Sequence, residues 1–153
     1  MKPFIVLILF FTLSALYFRI AKKKWSLNFA GVLAFSAMLL FSSMGHFMFP
    51  EGMAMMIPDF VPAKETVVYA TGLLEIVFAV LILFRKYRKI TGWAIILFLI
   101  LVLPANILAS LNNVNYEKGD NSGEGVSYLF FRIPLQIFYI VWAYWFTIKN
   151  NDK

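Results

Sequence analysis

The chain lacks cysteine altogether and has a single histidine, His46, among its 153 residues. Without cysteine there are no disulfides, thiol nucleophiles, cysteine-ligated iron–sulfur clusters or cysteine-based zinc sites. One histidine cannot supply both axial ligands of a bis-histidine haem. Glycine-rich phosphate loops, Ser–His–Asp signatures and HExxH helices are missing as well. The sequence therefore predicts no covalent cofactor and no metal site, because His46 would have only Glu75 and neutral amides as fellow ligands.

Charged residues are scarce too: they make up 14% of the chain, whereas hydrophobic residues make up 61%. A soluble domain of this size needs more polar groups to cover its surface. Five apolar segments are each long enough to cross a bilayer core, which takes about 20 helical residues. In lipid, backbone amides must be satisfied within their own segment, so an all-α integral membrane helical bundle is expected. Its five transmembrane helices, within one membrane domain of residues 1–153, are predicted at about 3–21, 27–48, 66–84, 90–111 and 128–148.

The basic residues, which give a net charge of +6, are concentrated in two short connections between these segments. The first holds Arg19, Lys22, Lys23 and Lys24, and the second is "RKYRK" at 85–89. Short loops rich in Lys and Arg stay cytoplasmic, so these clusters are interpreted as topology signals and not as a nucleic-acid patch. They predict a multi-pass protein of the inner or plasma membrane with its N-terminus outside and its C-terminus in the cytoplasm. Four tryptophans near the predicted inner helix ends agree with this: Trp25, Trp93, Trp142 and Trp145.

The first segment has an alternative interpretation as a signal peptide, because Lys2 precedes an apolar run. Leu13 and Ala15 make a poor cleavage pair, however, and the basic residues after the run outweigh Lys2. A retained helix is therefore predicted.

Two connections are not expected to cross the membrane. Residues 50–65 contain three prolines, which prevent a long helix, but they are too apolar for a free loop. We expect them to form a lid in the outer interface. Residues 112–127 are polar and glycine-rich over most of their length, and they predict an exposed outer loop.

Polar residues recur four positions apart in each of the last four segments, which places each pair on one helical face. Ionisable groups inside a bilayer are costly and face a protein interior or an aqueous cavity. All of these residues lie in the predicted outer halves of their helices. They predict an outward-facing polar pocket lined mainly by His46, Glu75, Asn106, Arg132 and Gln136, with Ser42, Thr71 and Ser110 as secondary members.

Glu75 and Arg132 are expected to contact each other, because a carboxylate near the bilayer midplane needs a partner and a guanidinium can bind it bidentately. A purely structural interpretation remains open for each of the main pocket residues. His46 could be an interfacial anchor, and Arg132 could extend to the outer headgroups. The amides could simply join helices, and the Glu75–Arg132 pair could serve packing alone.

Five short stretches resemble the DoxX-like family of small bacterial membrane proteins in order and spacing, over about residues 42–145. They are "GHFMFP", "MIPDFVP", "YATGLLEI", "LPANI" and "RIPLQ". The resemblance implies a four-helix core formed by the second to fifth segments, with the first segment as an addition. The positions that it carries over are Gly45, His46, Phe47, Pro58, Pro62, Gly72, Glu75, Pro104, Asn106, Arg132, Pro134 and Gln136.

Some members of that family are similar to subunits of thiosulfate:quinone oxidoreductase, and others accompany methylamine utilisation or oxidative-stress systems. The resemblance and the polar pocket together suggest that the chain binds a small lipophilic or quinone-like molecule in support of a membrane redox complex. Glu75 would then exchange a proton, and the other pocket residues would hold polar oxygens. Since the chain has no redox centre of its own, a redox partner subunit would be required in addition to the lipid bilayer. The alternative is a structural or assembly subunit, or a small-solute carrier, with no chemistry.

Overall fold

A computed structural model describes residues 2–21 and 27–150 of the chain. Helices dominate this part of the chain, and its only extended pairing is an isolated bridge between Asn115 and Asp120, so the expected all-α class is confirmed. The helices are α1 (Lys2–Ala21), α2 (Leu27–Met48), α3 (Pro50–Ala54), α4 (Lys64–Leu81), α5 (Arg85–Leu111) and α6 (Leu129–Ala143). A 3₁₀ turn, Gly125–Tyr128, leads into α6, and a π-helix, Tyr144–Lys149, continues it. The predicted inner residues Lys22, Lys23, Lys24, Trp25 and Lys153 lie outside the described residues.

Within residues 2–21 and 27–150, four helical segments are long and apolar enough to cross a membrane, as expected of a membrane protein. They are α1, α2, α5 and the continuous stretch Gly125–Lys149. The remaining long helix, α4, carries Lys64, Glu65 and Glu75 within its 18 residues, and it does not belong to this set.

The second basic connection is shorter than predicted, because "RKYRK" at 85–89 forms the first turns of α5 and not a loop. Arg88 is buried, and its guanidinium donates to the carbonyls of Ile82 (2.9 Å) and Leu83 (3.2 Å). These carbonyls follow the end of α4, where backbone acceptors lack partners within the helix. Arg88 thus fixes the turn between α4 and α5 in addition to contributing charge.

Two polar contacts define the opposite ends of the bundle. At one end, Lys2 Nζ lies 2.8 Å from Glu117 Oε1, which joins the start of α1 to the loop after α5. At the other end, Asn28 Nδ2 donates to the carbonyl of Asn150 at 2.6 Å, which joins the start of α2 to the end of the π-helix. The connections therefore alternate between the two ends, and which end faces outward stays a prediction.

The core centres on α2, where Phe35 and Val32 are fully buried. They belong to one apolar cluster with Ala79 of α4, Ile95 of α5 and Ala143 of α6. Small residues at such contacts let helix backbones approach closely, which favours packing in lipid.

Trp142 departs from the interfacial role predicted for it. Its indole Nε1 donates to the carbonyl of Gly31 at 3.1 Å, and its ring packs edge-on against Phe11. Trp142 therefore ties α6 to α2 inside the bundle. In contrast, Trp93 and Trp145 are 53% and 46% exposed, as interfacial anchors would be.

The predicted lid begins as the short helix α3, with Pro50 in its first turn, where a missing backbone N–H costs nothing. Gly52 packs so closely on the backbone carbonyl of Tyr116 that a Cβ would overlap it. The lid thus packs against the loop after α5, whereas Phe60 at its other end is 84% exposed.

Gly92 on α5 should be a sensitive packing position, because a Cβ there would overlap the buried Thr147 Oγ1 of the π-helix. We expect Gly92→Ala to destabilise the detergent-solubilised protein by about 1–3 kcal/mol, the usual cost of overpacking. Combining it with Thr147→Ala should recover part of that loss. Unfolding midpoints of the two single variants and the double variant measure this, and full additivity would contradict the contact.

Candidate functional site

The eight predicted pocket residues fall into two groups, not one. The carboxylate group lies between α2 and α4 and comprises Ser42, His46, Thr71 and Glu75. The arginine group lies between α5 and α6 and comprises Asn106, Ser110, Arg132 and Gln136. No hydrogen bond or ion pair joins the two groups in the part of the chain that the structure describes, so the predicted Glu75–Arg132 contact is wrong.

Close helix packing assembles the carboxylate group. Ser42 and His46 share one face of α2, and Thr71 and Glu75 share the facing side of the antiparallel α4. Gly72 permits the approach, because a Cβ there would lie 2.7 Å from the Cβ of His46.

Polar contacts in this group converge on the Glu75 carboxyl. Ser42 Oγ donates to Glu75 Oε1 at 3.4 Å, and His46 Nε2 lies 3.8 Å from Glu75 Oε2. The side chains of His46 and Glu75 are only 17% and 9% exposed, respectively. Oε2 is buried and has no hydrogen-bond partner among the residues that the structure describes, which is costly for an oxygen of a carboxyl group.

The partners of the imidazole determine where its protons lie. His46 Nδ1 is 3.0 Å from the carbonyl of Val68, which can only accept, so Nδ1 carries a hydrogen. Thr71 Oγ1, 3.1 Å from Nδ1, donates its own hydrogen to the carbonyl of Val67 or Val68. A neutral imidazole therefore presents a lone pair from Nε2 towards Glu75 Oε2. One proton, on either Nε2 or Oε2, would remove the repulsion between these two atoms.

In the arginine group, the Arg132 guanidinium is held by neutral oxygens. Its Nη1 donates to the hydroxyl of Tyr128 at 2.9 Å, and its Nη2 donates to Asn106 Oδ1 at 2.7 Å. Asn106 Nδ2 in turn donates to Gln136 Oε1 at 3.4 Å, and Gln136 donates to the carbonyl of Leu99. Asn106 and Gln136 join α5 to α6, as expected if the two amides serve as helix–helix hydrogen bonds. Asn106 also orients Arg132.

A cavity of about 30 Å³ opens beside Arg132. Its walls include Asn106, Ser110, Tyr116, Tyr128 and the lid residue Met56. Such a volume accommodates about two water-sized groups, whereas pockets for drug-sized ligands measure about 300–1,000 Å³. The cavity therefore does not fit a quinone ring.

Three tyrosines near these groups were missed by the sequence reasoning. Burial raises the pKa of Tyr116 to about 12, so its hydroxyl stays neutral at the cavity wall. The hydroxyl of Tyr139 is buried without a hydrogen-bond partner. Helical spacing was the available signal, since Tyr128 and Tyr139 lie four residues before and seven residues after Arg132, on its face.

The residues described by the structure include no group of three or more His, Cys, Asp or Glu that could hold a metal ion. The carboxylate group offers a metal ion one imidazole and one carboxyl as its only strong ligands. The main ionisable group of the arginine group is the cationic guanidinium of Arg132. The arrangement is suited to holding a proton in the first group and a small polar or negative species in the second.

The changed pairing of Glu75 can be tested by double-mutant cycles on unfolding free energy. The combination of His46→Gln and Glu75→Gln should deviate from additivity by about 0.5–3 kcal/mol, as residues in contact do. The combination of Arg132→Gln and Glu75→Gln should show a smaller coupling, because no contact joins these side chains. A larger coupling energy of Glu75 with Arg132 than with His46 would instead support the Glu75–Arg132 contact that the sequence predicts.

No curated protein and no solved structure matches the chain significantly. A family model described as "Domain of unknown function (DUF8561)" matches residues 35–147, a stretch that runs from α2 to the π-helix and contains both polar groups. Because this match covers most of its length, the chain belongs to the DUF8561 family.

Proposed function

We propose that this protein binds a small lipophilic, quinone-like molecule at the carboxylate group, in support of a membrane redox complex. The observation that carries the proposal is the buried, unbonded Glu75 Oε2 facing His46 Nε2 at 3.8 Å. An arrangement that needs one proton in a water-poor site can take it from, or give it to, a bound molecule. The ligand would supply the redox chemistry, and a partner subunit would carry the electrons.

The surface beside His46 supports this choice of site. Phe47 and Tyr69 flank the carboxylate group with ring centroids 5.9 Å apart, and they are 47% and 42% exposed. A lipophilic molecule arriving from the bilayer can pack its apolar part on these rings while a polar oxygen approaches the imidazole. In this proposal Glu75 holds the proton, His46 orients the polar oxygen, and Ser42 and Thr71 fix the two acid–base groups.

The membrane arrangement that goes with this function has five crossings. We propose that α4 spans the bilayer, since its 18 residues extend about 27 Å and it packs antiparallel along α2. Its buried Glu75 is sheltered by α2, and its Lys64 and Glu65 lie in the first turn, at the bundle end. The DoxX-like resemblance would then correspond to a core of α2, α4, α5 and α6, with α1 added outside.

A non-catalytic scaffold or a small-solute carrier is the second candidate, and the cavity of about 30 Å³ favours it. Such a protein could hold a complex together through its exposed helix faces alone. Neighbouring oxidoreductase genes would favour the redox-linked proposal over this one.

Ligand binding should raise the thermal unfolding midpoint of the purified protein. A molecule present at a hundredfold excess over its dissociation constant adds about 2.7 kcal/mol of stability by mass action. We expect at least one compound from a panel of quinones and small lipophiles to raise the wild-type midpoint, and to do so less in Glu75→Gln. This substitution keeps the shape of the side chain and removes the exchangeable proton.

Glu65→Gln is the matched control, since it makes the same exchange on an exposed residue of the same helix. It should respond to the compounds as the wild type does. If no compound shifts the wild-type midpoint, and Glu75→Gln supports normal growth and stability, the scaffold candidate is correct.

The topology can be measured directly, because the chain has no cysteine to remove. Single cysteines at Ser122, in the loop after α5, and at Asn150, at the end of the π-helix, should label differently with an impermeant maleimide on intact cells. Labelling at 122 and not at 150 is expected for an outer carboxylate group. The reverse pattern would place both polar groups near the cytoplasmic side.

A further inference from the structure

We propose that the cavity beside Arg132 is a binding site for a small monovalent anion, such as a halide. This inference stands apart from the proposed function, because it concerns the arginine group alone and is tested with salts alone. It rests on a cation that forms no ion pair with any described residue, a cavity of matching size, and hydrogen-bond donors on the cavity wall.

The guanidinium of Arg132 carries a full charge in a partly buried position, and no carboxylate forms an ion pair with it among the described residues. Its hydrogen bonds to described residues go to neutral oxygens, those of Tyr128 and Asn106. A buried charge held only by neutral groups is costly, and a counter-ion lowers that cost.

The nearby acids do not fill this role. Glu117, in the loop after α5, is already bonded by Lys2 at 2.8 Å and by the hydroxyl of Tyr116 at 3.2 Å. Glu124 lies on the cavity wall but is exposed to solvent, so its charge is largely screened. From its position, we expect the negative charge of Glu124 to repel an incoming anion, and not to take the place of that anion as the counter-ion of Arg132.

The cavity walls supply donors suited to an anion. The Tyr128 hydroxyl accepts from Arg132, which leaves its own hydrogen free to donate. The guanidinium has five N–H groups, and two of them donate to described residues, which leaves others to donate to an anion. A volume of about 30 Å³ admits an ion of one or two atoms and rejects bulky organic anions.

The test is a thermal-unfolding titration of the full-length protein in detergent. Sodium bromide or chloride replaces sodium gluconate at constant ionic strength, so that screening does not change. We expect a saturable rise of the wild-type midpoint with either halide and no saturable rise in Arg132→Gln. The absence of a halide-specific rise in the wild type, or an equal rise in Arg132→Gln, overturns the proposal.

Two further variants keep the test decisive if Arg132→Gln fails to fold. Tyr128→Phe retains the ring and removes a donor, so the half-saturating halide concentration should increase. Glu124→Gln removes a negative charge from the wall and should lower that concentration about two- to fivefold, while Glu65→Gln should leave it unchanged. A higher half-saturating halide concentration in Glu124→Gln would identify the cavity as a cation or water site and overturn the proposal.

Discussion

The close contact between α2 and α4 is the feature on which the carboxylate group depends. Ser36 donates to the carbonyl of Ala79 at 2.7 Å, and Gly72 lets the backbones meet beside His46. In a bilayer no water replaces such bonds, so polar groups between helices must be satisfied by the protein or remain unsatisfied. Glu75 Oε2, which has no hydrogen-bond partner among the described residues, is therefore left unsatisfied by this packing, and the proposed function begins from this atom.

Much of the fold follows from the sequence, because membrane helices are determined by length, apolarity and their flanking residues. Leu27 and Met48 begin and end α2 as expected, and the prolines of the lid limit it to a short helix. α5 begins at Arg85, earlier than the start near residue 90 that the sequence predicts, because "RKYRK" is helical and not a charged loop. Lys and Arg are good helix formers, and Arg88 gains two carbonyl partners by joining the helix.

For the two polar groups, the sequence predicts which residues share a helix face but not how they pair across helices. Spacing of four identifies which residues share a helix face, and depth along the helix follows from the rise per residue. Neither quantity says which way a helix is rotated about its own axis. The side chains of Glu75 and Arg132 are predicted to extend to similar depths in the membrane. In the structure, however, α4 turns Glu75 towards His46 of α2, and α6 turns Arg132 towards Asn106 of α5. Only the packed structure contains that information.

Separating the two groups changes the electrostatics of the whole site. A Glu75–Arg132 ion pair would have cancelled both charges and left a neutral packing contact. In the structure each charge has to be balanced locally. One proton shared with His46 would neutralise the carboxyl, whereas the guanidinium of Arg132 would need a negative partner from outside. The same physical demand, neutrality in a low-dielectric environment, therefore underlies both the proposed proton site and the proposed anion site.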